Sequence, residues 1–144
     1  MRIDDIQEEW DQDSGIDANA LDTDSVNISK LHSKYYKIYF HEAVHYKKME
    51  QEQKVLRFEK YEFYTLGETE DSRAKGWKFP AQGRILKNEV QLYIDADKDI
   101  VNSNLKLALQ KEKVDFVESI IKMIANRNFH LKVALDFLKF KNGL

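Results

Sequence analysis

The sequence predicts a mostly α-helical fold of long antiparallel helices, and three observations carry that expectation. One proline and five glycines in 144 residues leave long stretches without a helix breaker. Charged residues make up 33% and apolar residues 42%, a mixture that suits solvent-laced amphipathic helices better than a disordered chain. Apolar residues also recur at three- and four-residue spacing along much of the chain. The length suits one modest core, so a single domain over residues 1–144 is expected. Within it, an N-terminal helical part reaches residue 64, a basic loop covers 65–84, and a C-terminal helical part covers 85–144.

The elements follow in order. Ile3, Ile6 and Trp10 at helical spacing, behind the first-turn acids Asp4 and Asp5, predict a short helix over 4–12 that ends at Ser14-Gly15. Asp17 is the candidate cap of a far longer helix that meets no breaker until Gly67. Its seam reads as a heptad, with Leu21, Ile28, Tyr35, Glu42, Met49, Leu56 and Phe63 at one position and Leu31 and Ile38 at the other. Polar Asp24, His45, Glu52 and Glu59 interrupt the second position, so the helix is expected to pack near Leu31 and Ile38 and to project as an arm near 45–60. Gly67, Gly76, Pro80 and Gly83 mark the one long loop. A helix from Ile85 to Tyr93 is preferred over a strand, although Val90, Leu92 and Ile94 alternate. A long amphipathic helix then runs to about Asn126. A last helix over 129–140 is apolar around much of its circumference, and Phe129, Leu131, Leu135, Phe137, Leu138 and Phe140 are expected to hold copies of the chain together.

Composition also narrows the function. The absence of cysteine removes disulfides, thiolate zinc sites and a cysteine nucleophile. The polar, acidic start has no apolar signal core, and no apolar run is long enough for a bilayer, so the expected location is the compartment of synthesis, with no membrane partner. The net charge of −2 hides an asymmetry: residues 1–29 set nine carboxylates against Arg2 alone, while 30–60 and 73–94 each carry an excess of four cations. Such blocks suggest a polyanion-facing surface and a separate acidic arm.

Two motifs imitate catalytic or metal chemistry. His41-Glu42-Ala43-Val44-His45 matches the H-E-x-x-H zinc pattern, but a third ligand would have to come from His32, His130 or an unplaced carboxylate, and no strand is predicted to align a peptide. These histidines are read as surface or interface residues. Asp95-Ala96-Asp97-Lys98-Asp99 opens like a calcium loop but continues with Ile100 where glycine is needed and ends on Lys106 in place of glutamate. The aspartates are read as helix caps. With no phosphate-cradling loop and no nucleophile elbow either, no enzyme, metal or cofactor is expected.

Single strands are held by cations that follow phosphates and by aromatic faces on which bases stack. Lys54, Arg57, Phe58, Lys60, Tyr61, Phe63 and Tyr64 offer both near the end of the long helix, and Arg73, Lys75, Trp77, Lys78 and Phe79 offer both in the loop. The competing reading is that Tyr61, Phe63 and Tyr64 pack on a returning helix while the lysines are solvated. A helical scaffold whose charge blocks meet only protein partners is the alternative function.

A family resemblance enters at these residues. The opening Met1-Arg2-Ile3-Asp4-Asp5-Ile6-Gln7-Glu8-Glu9, then Ile16-Asp17 with Leu21, Ser33-Lys34-Tyr35, Glu62-Phe63-Tyr64-Thr65-Leu66-Gly67, Ala96-Asp97-Lys98-Asp99, Asp115-Phe116 and Arg127-Asn128-Phe129-His130-Leu131-Lys132 through Phe140 and Gly143 resemble, in order, the UvsY family of T-even-type phage recombination mediators. The resemblance covers nearly the whole chain outside the 65–85 loop. It implies a homo-oligomeric ring, a hexamer or heptamer, held by the C-terminal helix and acting in the cytoplasm of an infected bacterial host. It further implies binding to single-stranded DNA, to a phage RecA-like recombinase and to a phage single-stranded-DNA-binding protein, with the recombinase helped to replace the latter. Basic residues just before the aromatic turn are implied DNA contacts. Lys60 keeps the second of these, whereas Phe58, next to Arg57, stands where the family pattern has lysine.

Overall fold

The computed structural model describes residues 1–81 and 83–144. All regular structure among them is helical: α1 Ile3–Asp13, α2 Leu21–Val26, α3 Ile28–Leu66, α4 Glu70–Ala74, α5 Val90–Ala96, α6 Lys98–Ala125 and α7 Arg127–Lys141. The chain forms two compact units, one of residues 1–44 with 111–144 and the other of 45–110, and α3 and α6 each contribute to both.

In the first unit Ile6, Tyr35, Val117, Ile120 and Ile124 form a buried cluster, flanked by Trp10, Ile28, Leu31, Ile38 and Phe116. The heptad seam accounts for α3's share of it, and Ile6 with Trp10 for that of α1. Tyr35 meets Trp10 edge-on at 5.3 Å, and its hydroxyl donates to Asp13 Oδ2 at 2.8 Å. Burial and the bond to Asp13 both raise the Tyr35 phenol pKa. Lys34 Nζ reaches the same oxygen at 2.6 Å and Glu9 at 3.1 Å, so part of the acidic block is spent inside its own unit.

The long helix does not begin at Asp17. The Asp17 carboxylate accepts the Asn19 N–H at 2.9 Å in a local turn, α2 starts at Leu21, and Asn27 separates α2 from α3. α2 packs on α7. Around α7, Leu131 is buried and Leu138 half-buried, while Phe129, Val133, Phe137 and Phe140 share the opposite, exposed side. Leu131, expected at a contact between copies, is thus already used inside the chain. Leu135 is exposed as well.

In the second unit Phe63, Tyr64, Val90, Ile94 and Ile100 are buried, with Leu56, Trp77, Phe79, Ile85 and Tyr93 packed against them. The stretch 45–60, expected to project, has α6 along its inner side: the Gln53 amide donates to Asn104, and Met49 and Leu56 border a cavity with Asn102 and Ser103. Its polar interruptions are tolerated because they stay near solvent or find partners, as Glu59 does with Lys75. The long loop contains the single-turn α4, whose Thr69 cap exchanges hydrogen bonds with Ser72. The helix expected from Ile85 begins only at Val90. At the joint between α5 and α6, Asp97 Oδ1 accepts the N–H groups of Asp99 and Ile100 at 2.9 and 3.3 Å, the capping role read from sequence.

Candidate nucleic-acid interface

Within the second unit, the side of α3 opposite its packed seam carries Lys47, Gln51, Lys54, Phe58, Tyr61 and Thr65 at alternating four- and three-residue steps. At about 100° per residue these positions fall within a sector of roughly 80°, diametrically across from Met49, Leu56 and Phe63. All six are exposed. Phe58 keeps 60% of its surface in water and Tyr61 44%, and both lie outside the unit's buried cluster. Among the described residues, Lys47 and Lys54 have no ion-pair partner. The result is a stripe of two free cations followed by two open rings.

The helical phase that exposes Phe58 buries Lys60. Lys60 is 2% exposed; its Nζ lies 2.8 Å from Asp99 Oδ2, 3.1 Å from Asp97 Oδ2 and 3.7 Å from the centre of the Trp77 ring. The Tyr64 hydroxyl donates to the same Asp97 oxygen at 2.6 Å. Burial pushes the Tyr64 phenol up, and the bond to Asp97 adds to the rise. Burial alone would raise Asp97 too, but the hydrogen bonds from Tyr64 and Lys60 outweigh it and hold the carboxyl below its ordinary value. Lys60 and Tyr64, expected on an open track, are therefore inside the protein, because the carboxylates heading α6 face them.

The other expected contacts divide. Arg57 is half-buried and paired with Asp95 at 2.9 Å. Lys75 bridges Glu59 and Asp71 at 3.3 and 3.2 Å and lies 4.9 Å from the Trp77 ring centre. Arg73 is exposed and reaches Glu68 at 3.5 Å, while Lys78 is exposed and has no ion-pair partner among the described residues. Trp77 and Phe79 meet Phe63 edge-on at 5.6 and 5.7 Å and close the core. The packing reading thus holds for Phe63 and Tyr64 and fails for the exposed Tyr61 and the buried Lys60, while Trp77 and Phe79, expected to be open in the loop, are packed as well. Lys47 entered the sequence reading only as charge; the spacing from Lys47 through Lys54 and Phe58 to Tyr61 was the signal that links them.

The zinc-like motif points two ways. His41 and His45 are exposed, whereas Glu42 is buried and faces Lys113 at 3.3 Å and the Met1 amino group at 3.8 Å. No group of three or more candidate ligands that could hold a metal occurs among the described residues. No described helix is long and apolar enough to cross a membrane.

Free cations and open rings on one helix face are the chemistry by which proteins hold extended single strands, through phosphate contact and base stacking. The chain belongs to the UvsY family, described as recombination, repair and ssDNA binding protein UvsY, whose model matches residues 9–144. It is 27% identical over 143 residues to the recombination protein uvsY of Enterobacteria phage T4, covering 99% of each chain. Crystal structures of the bacteriophage T4 recombination mediator protein UvsY share its fold. One superposes with a TM-score of 0.81 at 25% identity, covering 99% of this chain and 98% of that one. Another gives 0.79 at 25% identity, with 95% and 98% covered.

Proposed function

We propose that this protein is a recombination mediator that binds single-stranded DNA along the outward side of α3 and helps a RecA-like phage recombinase replace single-stranded-DNA-binding protein on the strand. The observation that carries the reading is the stripe of Lys47, Lys54, Phe58 and Tyr61. The cations neutralise phosphates and the rings stack on bases, each stacked base being worth about 1–3 kcal/mol. Of the residues expected from sequence, Lys54, Phe58 and Lys78 are the open contacts. Arg57, Arg73 and Lys75 reach phosphate only by giving up a carboxylate. Several copies, joined through the exposed Phe129, Leu135, Phe137 and Phe140 into a ring of six or seven, present their stripes together, so weak single contacts gain by multivalency. The partners are single-stranded DNA, the recombinase and the strand-coating protein, and the setting is the cytoplasm of an infected bacterium.

The test is fluorescence anisotropy of a labelled oligothymidylate at several salt concentrations. Affinity is expected to fall steeply with salt, by a slope of about 0.7 per phosphate neutralised. Lys54→Ala with Phe58→Ala is expected to weaken binding at least tenfold with native mass unchanged, and to reduce the wild-type stimulation of recombinase loading on coated strands. Salt-independent or absent strand binding by the wild-type chain overturns the proposal.

A further inference from the structure

We infer a second strand-binding site in the cleft beyond the end of α3, with Arg84 and Lys87 as its phosphate contacts; the inference rests on the single-strand reading above. The cleft has a volume of about 750 Å³, and Tyr61, Thr65, Phe79, Arg84, Leu86 and Lys87 are among the residues that line it. Phe79, Ile85 and Val90 give it an apolar wall, and Leu86 is more than half exposed. Arg84 and Lys87 are exposed and, among the described residues, without an ion-pair partner. Among the described residues that line it, the one carboxylate, Glu68, is engaged: it accepts the Phe79 N–H at 3.3 Å and pairs with Arg73 at 3.5 Å.

Two features favour a nucleic-acid strand as occupant. Tyr61 and Thr65 belong both to the stripe and to the cleft, so a strand that follows α3 meets the cleft without leaving contact. Its chemistry also repeats that of the stripe, with free cations beside apolar and aromatic surface on which any base can lie. Backbone turns with positive φ shape the borders, at Gly67 (+91°) and Gly83 (+74°), a conformation that side-chain-bearing residues rarely adopt. An acidic peptide would find the same two cations but would have no reason to continue along Phe58 and Lys54.

The experiment measures anisotropy of a labelled oligothymidylate over a salt series with the full-length wild type, Arg84→Ala/Lys87→Ala and Lys54→Ala/Phe58→Ala. The cleft variant is expected to lose several-fold in affinity and to lower the salt slope by about 1.4, two phosphates at roughly 0.7 each, with an unchanged melting curve. A second variant, Leu86→Glu, places a carboxylate at the cleft and is expected to weaken the strand several-fold too. If both cleft variants keep wild-type affinity and slope while the stripe variant loses both, the cleft assignment is wrong and the stripe stands. Loss of binding to poly-glutamate alone, with DNA binding intact, also overturns the cleft. A wild-type chain that leaves the strand unbound overturns the parent reading and the cleft with it.

Discussion

Replacing Lys60 with methionine separates a structural lysine from a DNA-binding one. The substitution keeps an unbranched apolar stem, one atom shorter, but removes the charge held between Asp97 and Asp99 and over Trp77. Breaking a buried ion pair by deleting one partner costs about 3–5 kcal/mol, because the remaining charge is left without compensation. Here Asp99 is half-exposed and relaxes into water, while Asp97, 8% exposed, keeps Tyr64 alone as a side-chain partner among the described residues, so the low end of that range applies. With a urea dependence of about 1–3 kcal/mol per molar, a loss of about 3 kcal/mol lowers the unfolding midpoint by roughly 1–3 M. The assay is urea unfolding followed by Trp fluorescence at one fixed protomer concentration, since assembly couples to apparent stability. Lys54→Met, on the open side of α3, is expected to stay within about 0.5 kcal/mol of wild type. A Lys60→Met chain with an unchanged midpoint and weakened DNA affinity would refute the structural reading and return Lys60 to the track.

Three further outcomes are expected. Asp13 and Asp97 have folded-state pKa values held below the ordinary 3.8, because hydrogen bonds from Lys34 and Tyr35, and from Tyr64 and Lys60, outweigh burial. A depressed carboxyl contributes stability above its unfolded value that is lost as pH falls through the folded value, so the urea midpoint should drop below about pH 4 and drop less in Asp13→Asn/Asp97→Asn. Phe137→Asp with Phe140→Asp should lower the native mass in sedimentation while leaving helical circular dichroism intact; an unchanged mass would remove α7 from the assembly. Buried Arg127 donates to the carbonyls of Ser14 and Gly15 at 3.1 and 2.7 Å, so Arg127→Ala should cost about 1.5–3 kcal/mol per charge-assisted hydrogen bond lost and speed limited proteolysis at residues 14–20.

Much of the fold was legible because α3 and α6 announce themselves by periodicity. The seam read as Ile28, Tyr35, Glu42, Met49, Leu56 and Phe63 is the inward side of α3, even at Glu42, whose partners Lys113 and the chain's amino group are remote in sequence and could not be foreseen. Boundaries were less legible where a side chain chooses between neighbouring backbone groups, as Asp17 does when it closes a turn at Asn19 instead of capping a helix. The site was legible in composition and illegible in phase. Arg57, Phe58, Lys60 and Tyr61 are near neighbours, yet their sides differ by large rotations, so proximity in sequence could not tell which two face water. The seam could have done so: Phe58 and Tyr61 lie across from it and Lys60 beside it.

The same pairing changes what the charge blocks mean. Counted from sequence, 30–60 and 73–94 hold thirteen cations. In the structure Lys34 is neutralised by Glu9 and Asp13, Arg57 by Asp95, and Lys60 by Asp97 and Asp99. Lys75 is held by Glu59 and Asp71, and Arg73 by Glu68. The other eight cations of the two blocks have no ion-pair partner among the described residues: Lys30 and Lys37 in the first unit, and Lys47, Lys48, Lys54, Lys78, Arg84 and Lys87 in the second. At about 0.7 per phosphate, these eight contacts bound the salt slope near ~6 per protomer, whereas all thirteen would allow ~9. A measured slope near the larger figure would mean that DNA phosphates displace the internal carboxylates. A slope at or below the smaller one is expected, because exchanging Asp97 and Asp99 for a phosphate at Lys60 would leave those carboxylates uncompensated beside the core.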